Sequence, residues 1–137
     1  FPTDAPAAFF SIHALKDPDF VQKLVDFIDA GKPVLLTDGL ASRLANQIGL
    51  PNANVQVLPV KGEPKSLLEL SQAELFDIRQ HLLQSVDRQF DAPNRVALYL
   101  YDDSSWVVEN FNDQAVTVTL DGQSHTIGPR VWKLVWK

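Results

Sequence analysis

The stretch LLTDGLAS (35–42) holds the most site-like residues of the chain. Open α/β sheets bind ligands where strands end and helices begin, because backbone N–H groups and the helix dipole converge there. Asp38, Gly39 and Ser42 would stand at such a junction. The plainer reading is that Asp38 caps the following helix by accepting backbone N–H bonds and Gly39 makes the turn. The stretch has neither the glycine spacing of a phosphate-binding loop nor the G-x-S-x-G of a hydrolase elbow.

The three histidines, His13, His81 and His125, are scattered. No pair has metal-ligand spacing, and the chain has no Cys, so no metal site and no thiolate chemistry are expected. Ser42, His13 and Asp38 make a serine–histidine–aspartate trio on paper, as chance supplies in any chain of this size. Glycoside hydrolysis needs two facing carboxylates. Asp102, Asp103 and Glu109 lie on or beside neighbouring strands. The two aspartates suit a turn, and Glu109 suits a solvated strand face or a pair with Arg130.

The aromatic residues remain. Trp132 and Trp136 share one strand parity, and Tyr99 and Tyr101 share theirs. Together with Trp106 they could stack sugar rings, whose C–H groups meet the electron-rich ring face while hydroxyls bond at the rim. The competing reading, taken as the expectation, is that most of the three tryptophans are buried between the β-rich end and the helices.

These residues depend on two kinds of element. DPDFVQKLVDFIDAG (17–31) predicts a helix with Asp17 as N-cap, Pro18 at the first position and Gly31 as the stop. Phe20, Leu24, Phe27 and Ile28 share its apolar face. KPVLLTDG reads as a buried, parallel strand, LASRLANQIG as a helix and VQVLPV as a second strand. FFSI (9–12) is a further short strand, and residues 1–8 a poorly ordered lead-in. SLLELSQAELFDIRQHLLQSV contains two capping boxes, Ser66 with Glu69 and Ser71 with Glu74, and a helix burying Leu75, Ile78 and Leu82.

After residue 94 the apolar period changes from 3.6 to 2. RVALYLY, WVVENF, AVTVTL, QSHTI and RVWKLVWK read as antiparallel strands, with Asp121-Gly122 as a hairpin turn. The expected class is α+β: an α/β segment over 1–93, then a β-meander or half-sandwich over 94–137, packed as one unit.

The chain has 137 residues, 45% hydrophobic and 21% charged, with a net charge of −5. No half is basic: residues 1–70 carry 6 basic and 8 acidic groups, and 71–137 carry 6 and 9. Nucleic acid and anionic membrane are therefore poor partners. The chain begins at Phe1 and contains no Met, so it is expected to be a processed product or a piece of a larger protein.

VALYLYDDSSWVVENFNDQAVTVTLDGQSHTIGPRVWKLVWK (96–137) resembles the small C-terminal β-domain of bacterial multidomain glycosidase-like proteins. FVQKLVDFIDAGKPVLLTDGLASRL (20–44) resembles the flavodoxin-like domain that precedes it, akin to the class I glutamine-amidotransferase fold. The two stretches cover about half of the chain. The amidotransferase nucleophile would be a Cys, and this chain has none, so no catalytic residue carries over. The resemblance implies a non-catalytic accessory or structural module without a cofactor, partnered by upstream domains of the same polypeptide, in an extracellular or periplasmic setting. A carbohydrate-binding module using Trp106, Trp132, Trp136, Tyr99 and Tyr101 is the alternative. A small hydrolase using Asp38 and a histidine is a weaker one. Two aromatics left in solvent would distinguish a binding module from a packing role.

Overall fold

The computed structural model describes residues 1–102 and 104–136. It divides into two compact units, residues 1–69 with 78–87 and residues 70–77 with 88–137.

The first unit is built on β1 (Ala8–Phe10), β2 (Val34–Thr37) and β3 (Val55–Leu58), all parallel and in the order β1-β2-β3. Two helices alternate with them, α1 (Phe20–Asp29) and α2 (Asp38–Leu44). The expected α1 face forms: Phe20, Leu24, Phe27 and Ile28 are buried. They pack with Val34 and Leu36 of β2 and with Leu40, Ala41 and Leu44 of α2 in one cluster. Leu35, of opposite parity, is buried too, as a strand covered on both faces requires. Each such side chain contributes roughly 1.5–3 kcal/mol by leaving water. Gly31 takes φ +77° and ends α1.

Three local expectations are corrected. Residues 1–8 are not a loose lead-in. Ala8 belongs to β1, and the Phe1 ring lies 4.9 Å from Phe10, 5.6 Å from Phe27 and 5.8 Å from Phe20. Burial of these rings outweighs the Pro and Ala composition that suggested disorder. Helix α1 begins two residues later than Pro18, with Asp19 at its N-cap. Asp17 folds back as a turn residue, its Oδ1 accepting the Asp19 N–H at 3.0 Å and its Oδ2 pairing with Lys23 Nζ at 2.8 Å.

The third correction concerns the helix α3 (Gln72–Leu83). The Ser71–Glu74 box forms: Glu74 Oε2 accepts Ser71 N–H at 2.8 Å, and Ser71 Oγ accepts Glu74 N–H at 3.3 Å. Ser66 instead sits in a 3-10 turn (Pro64–Glu69) and donates to Val60 O. A competing local acceptor displaces the first box. No α3 side chain is fully buried, Leu75, Ile78 and Leu82 being half-buried.

The second unit contains two antiparallel three-stranded sheets. One is β4-β7-β8, made of β4 (Phe90–Asp91), β7 (Val116–Leu120) and β8 (Gln123–Ile127). The other is β5-β6-β9, made of β5 (Val96–Leu100), β6 (Trp106–Asn110) and β9 (Trp132–Val135). Asp121 (φ +50°) and Gly122 (φ +78°) form the expected hairpin turn between β7 and β8. An uninterrupted meander is not what forms. β6 and β7 lie in different sheets, and β9 returns to pair with β6. Buried Asn110 enforces that break. Its Nδ2 donates to Gln114 O and Gly128 O, both at 2.8 Å, and its Oδ1 accepts Asn112 N–H at 2.9 Å. Phe90, Val96, Val108, Val118, Leu120 and Ile127 are buried apolar residues of the unit's strands.

Candidate functional site

Asp38 is the first residue of α2, and Thr37 is its N-cap. The Asp38 carboxylate therefore acts from the first helical position and not from the N-cap. Its Oδ1 accepts the Gly39 N–H at 2.8 Å, and its Oδ2 accepts the Lys61 N–H at 2.6 Å. It thereby ties the start of α2 to the loop after β3. Gly39 lies within α2 and needs no positive φ.

His81 Nε2 lies 3.1 Å from Val34 O, and the His125 ring meets Trp106 at 50° with centroids 5.1 Å apart. Among the described residues no cluster of metal-ligating side chains forms. Arg130 pairs with Asp113 at 2.8 Å rather than with Glu109, because both ends of that pair sit beside the turns joining the two sheets. Burial and Lys133 lower the His125 pKa. Lys133 Nζ lies 3.3 Å from His125 Nδ1. An ammonium can only donate, so Nδ1 is the acceptor and the ring proton is on Nε2. A cavity of about 350 Å³ borders this group, flanked by the Arg88–Asp121 ion pair at 2.8 Å.

The feature that brings separate sequence elements together is the outer face of β5-β6-β9. The register sets Ala97, Glu109 and Trp132 side by side in one row, and Tyr99, Val107 and Leu134 in the next. One residue pair further, Tyr101 donates its N–H to Ser105 O at 3.0 Å. Trp136 lies beside them, its ring centroid 5.8 Å from that of Tyr101 at 40°. Facing residues share a side of the sheet, so all of these point one way.

Trp132 is 67% and Trp136 65% exposed, and Tyr99, Tyr101 and Leu134 are exposed as well. Only Trp106, of opposite parity, is buried, at 8%. The expectation that most tryptophans are packed inside is thus overturned. Val108, Val118, Leu120 and Ile127 already fill the interior, and strand alternation turns Trp132 and Trp136 outward. Val107 and Ser105, on the central strand side of the same rows, are buried.

This face also carries a hydrogen-bonding group. The Tyr99 hydroxyl donates to Glu109 Oε2 at 3.2 Å. Desolvation, then that bond, raise the Tyr99 pKa. Glu109 is thus a strand-face acceptor between aromatics. Asp102 is exposed, and Asp103 lies outside the described residues. Leu134 was not among the expected ligand-binding residues, although its parity with Trp132 and Trp136 is readable. The meeting of the two aromatic pairs depends on β9 pairing with β6, which no local pattern signals.

Residues 87–128 match the family described as probable glycosyl hydrolase, C-terminal domain. The match supports reading this part of the chain as a C-terminal accessory region of glycosidase-like proteins. It spans β4 to β8 and ends before Trp132. No curated protein and no solved structure matches the chain.

Proposed function

We propose that this chain is a non-catalytic accessory region of a larger carbohydrate-active protein, and that its second unit binds saccharide on the outer face of β5-β6-β9. The observation that carries the reading is the exposure of Tyr99, Tyr101, Trp132 and Trp136 on one side of one sheet. Soluble domains seldom leave so much clustered apolar surface in water without a ligand or partner for it. Sugar rings fit such a surface: their C–H faces stack on aromatic rings, and their hydroxyls need acceptors such as Glu109. The similarity of residues 87–128 to a glycosyl hydrolase C-terminal domain supports the same ligand class.

The accessory role is favoured over the hydrolase alternative by the engagement of Asp38 with two backbone N–H groups. The N-terminal unit supplies three parallel strands alternating with helices, which supports a flavodoxin-like relationship, although their order is sequential. On this reading the partners are the saccharide and the other domains of the parent polypeptide. The parent is then an exported bacterial protein that meets its polymer outside the cell.

The test is affinity electrophoresis of the purified chain through gels containing soluble polysaccharides, alongside hydrolysis assays on nitrophenyl glycosides. Retardation in at least one gel, with no turnover above that of Asp38→Asn, is the expected outcome. Free migration in every gel overturns the binding role. Turnover abolished by Asp38→Asn in a folded protein overturns the accessory role.

A further inference from the structure

The charges around the aromatic face narrow its ligand. Glu109 is the one ionisable carboxylate or cationic side chain in the three rows across β5, β6 and β9. Lys133 has the opposite parity and lies beside His125. Arg130, just before β9, is paired with Asp113, and exposed Asp102 adds negative charge next to Tyr101. A carboxylate-bearing sugar laid between Trp132 and Trp136 meets the Glu109 carboxylate and no Lys or Arg in those rows, Arg95 and the paired Arg130 standing beyond them. Within the rows it would be repelled, and its carboxylate would find no cationic donor there.

The layout also sets the ligand's length. Trp132 and Trp136 are four residues apart on an extended segment, about 13 Å at the usual rise per residue. Between them on the same side lies Leu134, with Val107 and then Tyr99 beside it in the same row. A single sugar covers one tryptophan. A chain must be extended to reach both. At the Trp132 end, Glu109 stands in the same row and can accept a hydroxyl hydrogen bond. At the Trp136 end the Tyr101 ring lies against Trp136, with centroids 5.8 Å apart.

Resting on the saccharide-binding reading above, we infer that the ligand is an uncharged, extended glycan lying along β9, stacked on Trp132 and Trp136, with Glu109 accepting one of its hydroxyls near Trp132. Glu109 then has two duties. It anchors a neutral hydroxyl, and it excludes uronic acids. Like charges facing each other are a common means of rejecting the wrong ligand.

The experiment is titration calorimetry of the intact chain with cellohexaose, xylohexaose and mannohexaose as neutral probes, glucose as the single ring, and oligogalacturonate as the anionic probe. At least one neutral hexamer should bind, glucose should bind at least about tenfold more weakly, and oligogalacturonate should not bind. Trp132→Ala and Trp136→Ala should each weaken the hexamer about tenfold or more, as loss of a central aromatic contact does. Glu109→Gln should weaken the neutral hexamer and admit oligogalacturonate. Circular dichroism and melting check that each variant is folded, and Phe9→Ala, an exposed aromatic of the first unit, serves as a neutral control.

Binding of oligogalacturonate equal to that of the hexamers would overturn this inference while leaving saccharide binding intact. Glucose binding as tightly as the hexamer would overturn the extended-chain part. Failure of every saccharide, charged or neutral, would remove the saccharide-binding reading itself. A monomer–dimer equilibrium by sedimentation that Trp132→Ala abolishes would assign the face to a second copy of this chain and overturn both.

Discussion

Tyr99 on β5 and Glu109 on β6 sit diagonally across neighbouring strands, and the tyrosine hydroxyl donates to the carboxylate at 3.2 Å. The bond fixes one side of the aromatic face and perturbs the phenol. Desolvation and the nearby negative charge both disfavour phenolate, so the Tyr99 pKa is raised. A raised pKa means that the stabilising contribution is complete below the unfolded value, about 10, and is lost as pH rises through the folded value. The chain has two tyrosines, so Tyr101→Phe leaves Tyr99 as the sole phenol. Its absorbance titration should have a midpoint above about 10, and adding Glu109→Gln should move that midpoint down. An unchanged midpoint would mean that the bond does not persist in solution.

His125 carries a pH dependence of opposite form. Its pKa is lowered by burial beside Trp106 and by Lys133. The unfolded chain therefore binds the proton more tightly than the folded one, and the second unit should lose stability as pH falls below about 6.5. The proton resonances of His125 should titrate below the ordinary histidine midpoint. Lys133→Gln should shift them upward, because it removes the second of the two causes.

Asn110 should be among the most sensitive positions. Asn110→Ala leaves Gln114 O, Gly128 O and the Asn112 N–H without their partner. A cost of about 2–4 kcal/mol is expected in urea unfolding, since unsatisfied buried groups lose about 1–3 kcal/mol each and part is recovered by water. Asn110→Asp keeps the acceptor for Asn112 but loses both donor bonds, so it should not restore stability.

β1 offers a paired comparison. Phe9 is half exposed, while Phe10 stacks on Phe1 and meets Phe20 edge-on at 5.0 Å. Phe20→Ala should cost about 3–5 kcal/mol as a buried aromatic truncation. Phe9→Ala should change the melting temperature little, as exposed substitutions usually do. Equal losses at the two sites would show that β1 is held differently from this arrangement.

What the sequence determined by itself is local. Phe20, Leu24, Phe27 and Ile28 recur at helical spacing, so α1 and its buried face are legible from periodicity. The run VLLT, apolar on both sides, announces a covered strand. Asp121-Gly122 announces a hairpin, because both residues must adopt positive φ. Ser71 and Glu74 announce a helix start. The similarity to a glycosidase C-terminal region was visible in the β-rich third and agrees with the match at residues 87–128.

What the tertiary structure decided is non-local. Parity shows that Trp132 and Trp136 share a side of β9, but not which side faces water. That followed from the pairing of β9 with β6, which places Trp132 in the row of Glu109 and leaves the interior to Val108. The same pairing put Tyr99 and Tyr101 on the tryptophans' face. Phe1 found its place through rings tens of residues away. Asp38 accepts a first-turn N–H of α2 with one oxygen, as a helix start suggests, but its other oxygen accepts a backbone N–H 23 residues downstream. In each case the partner is distant in sequence, and the free energy of a contact between distant residues leaves no trace in the local pattern of either one.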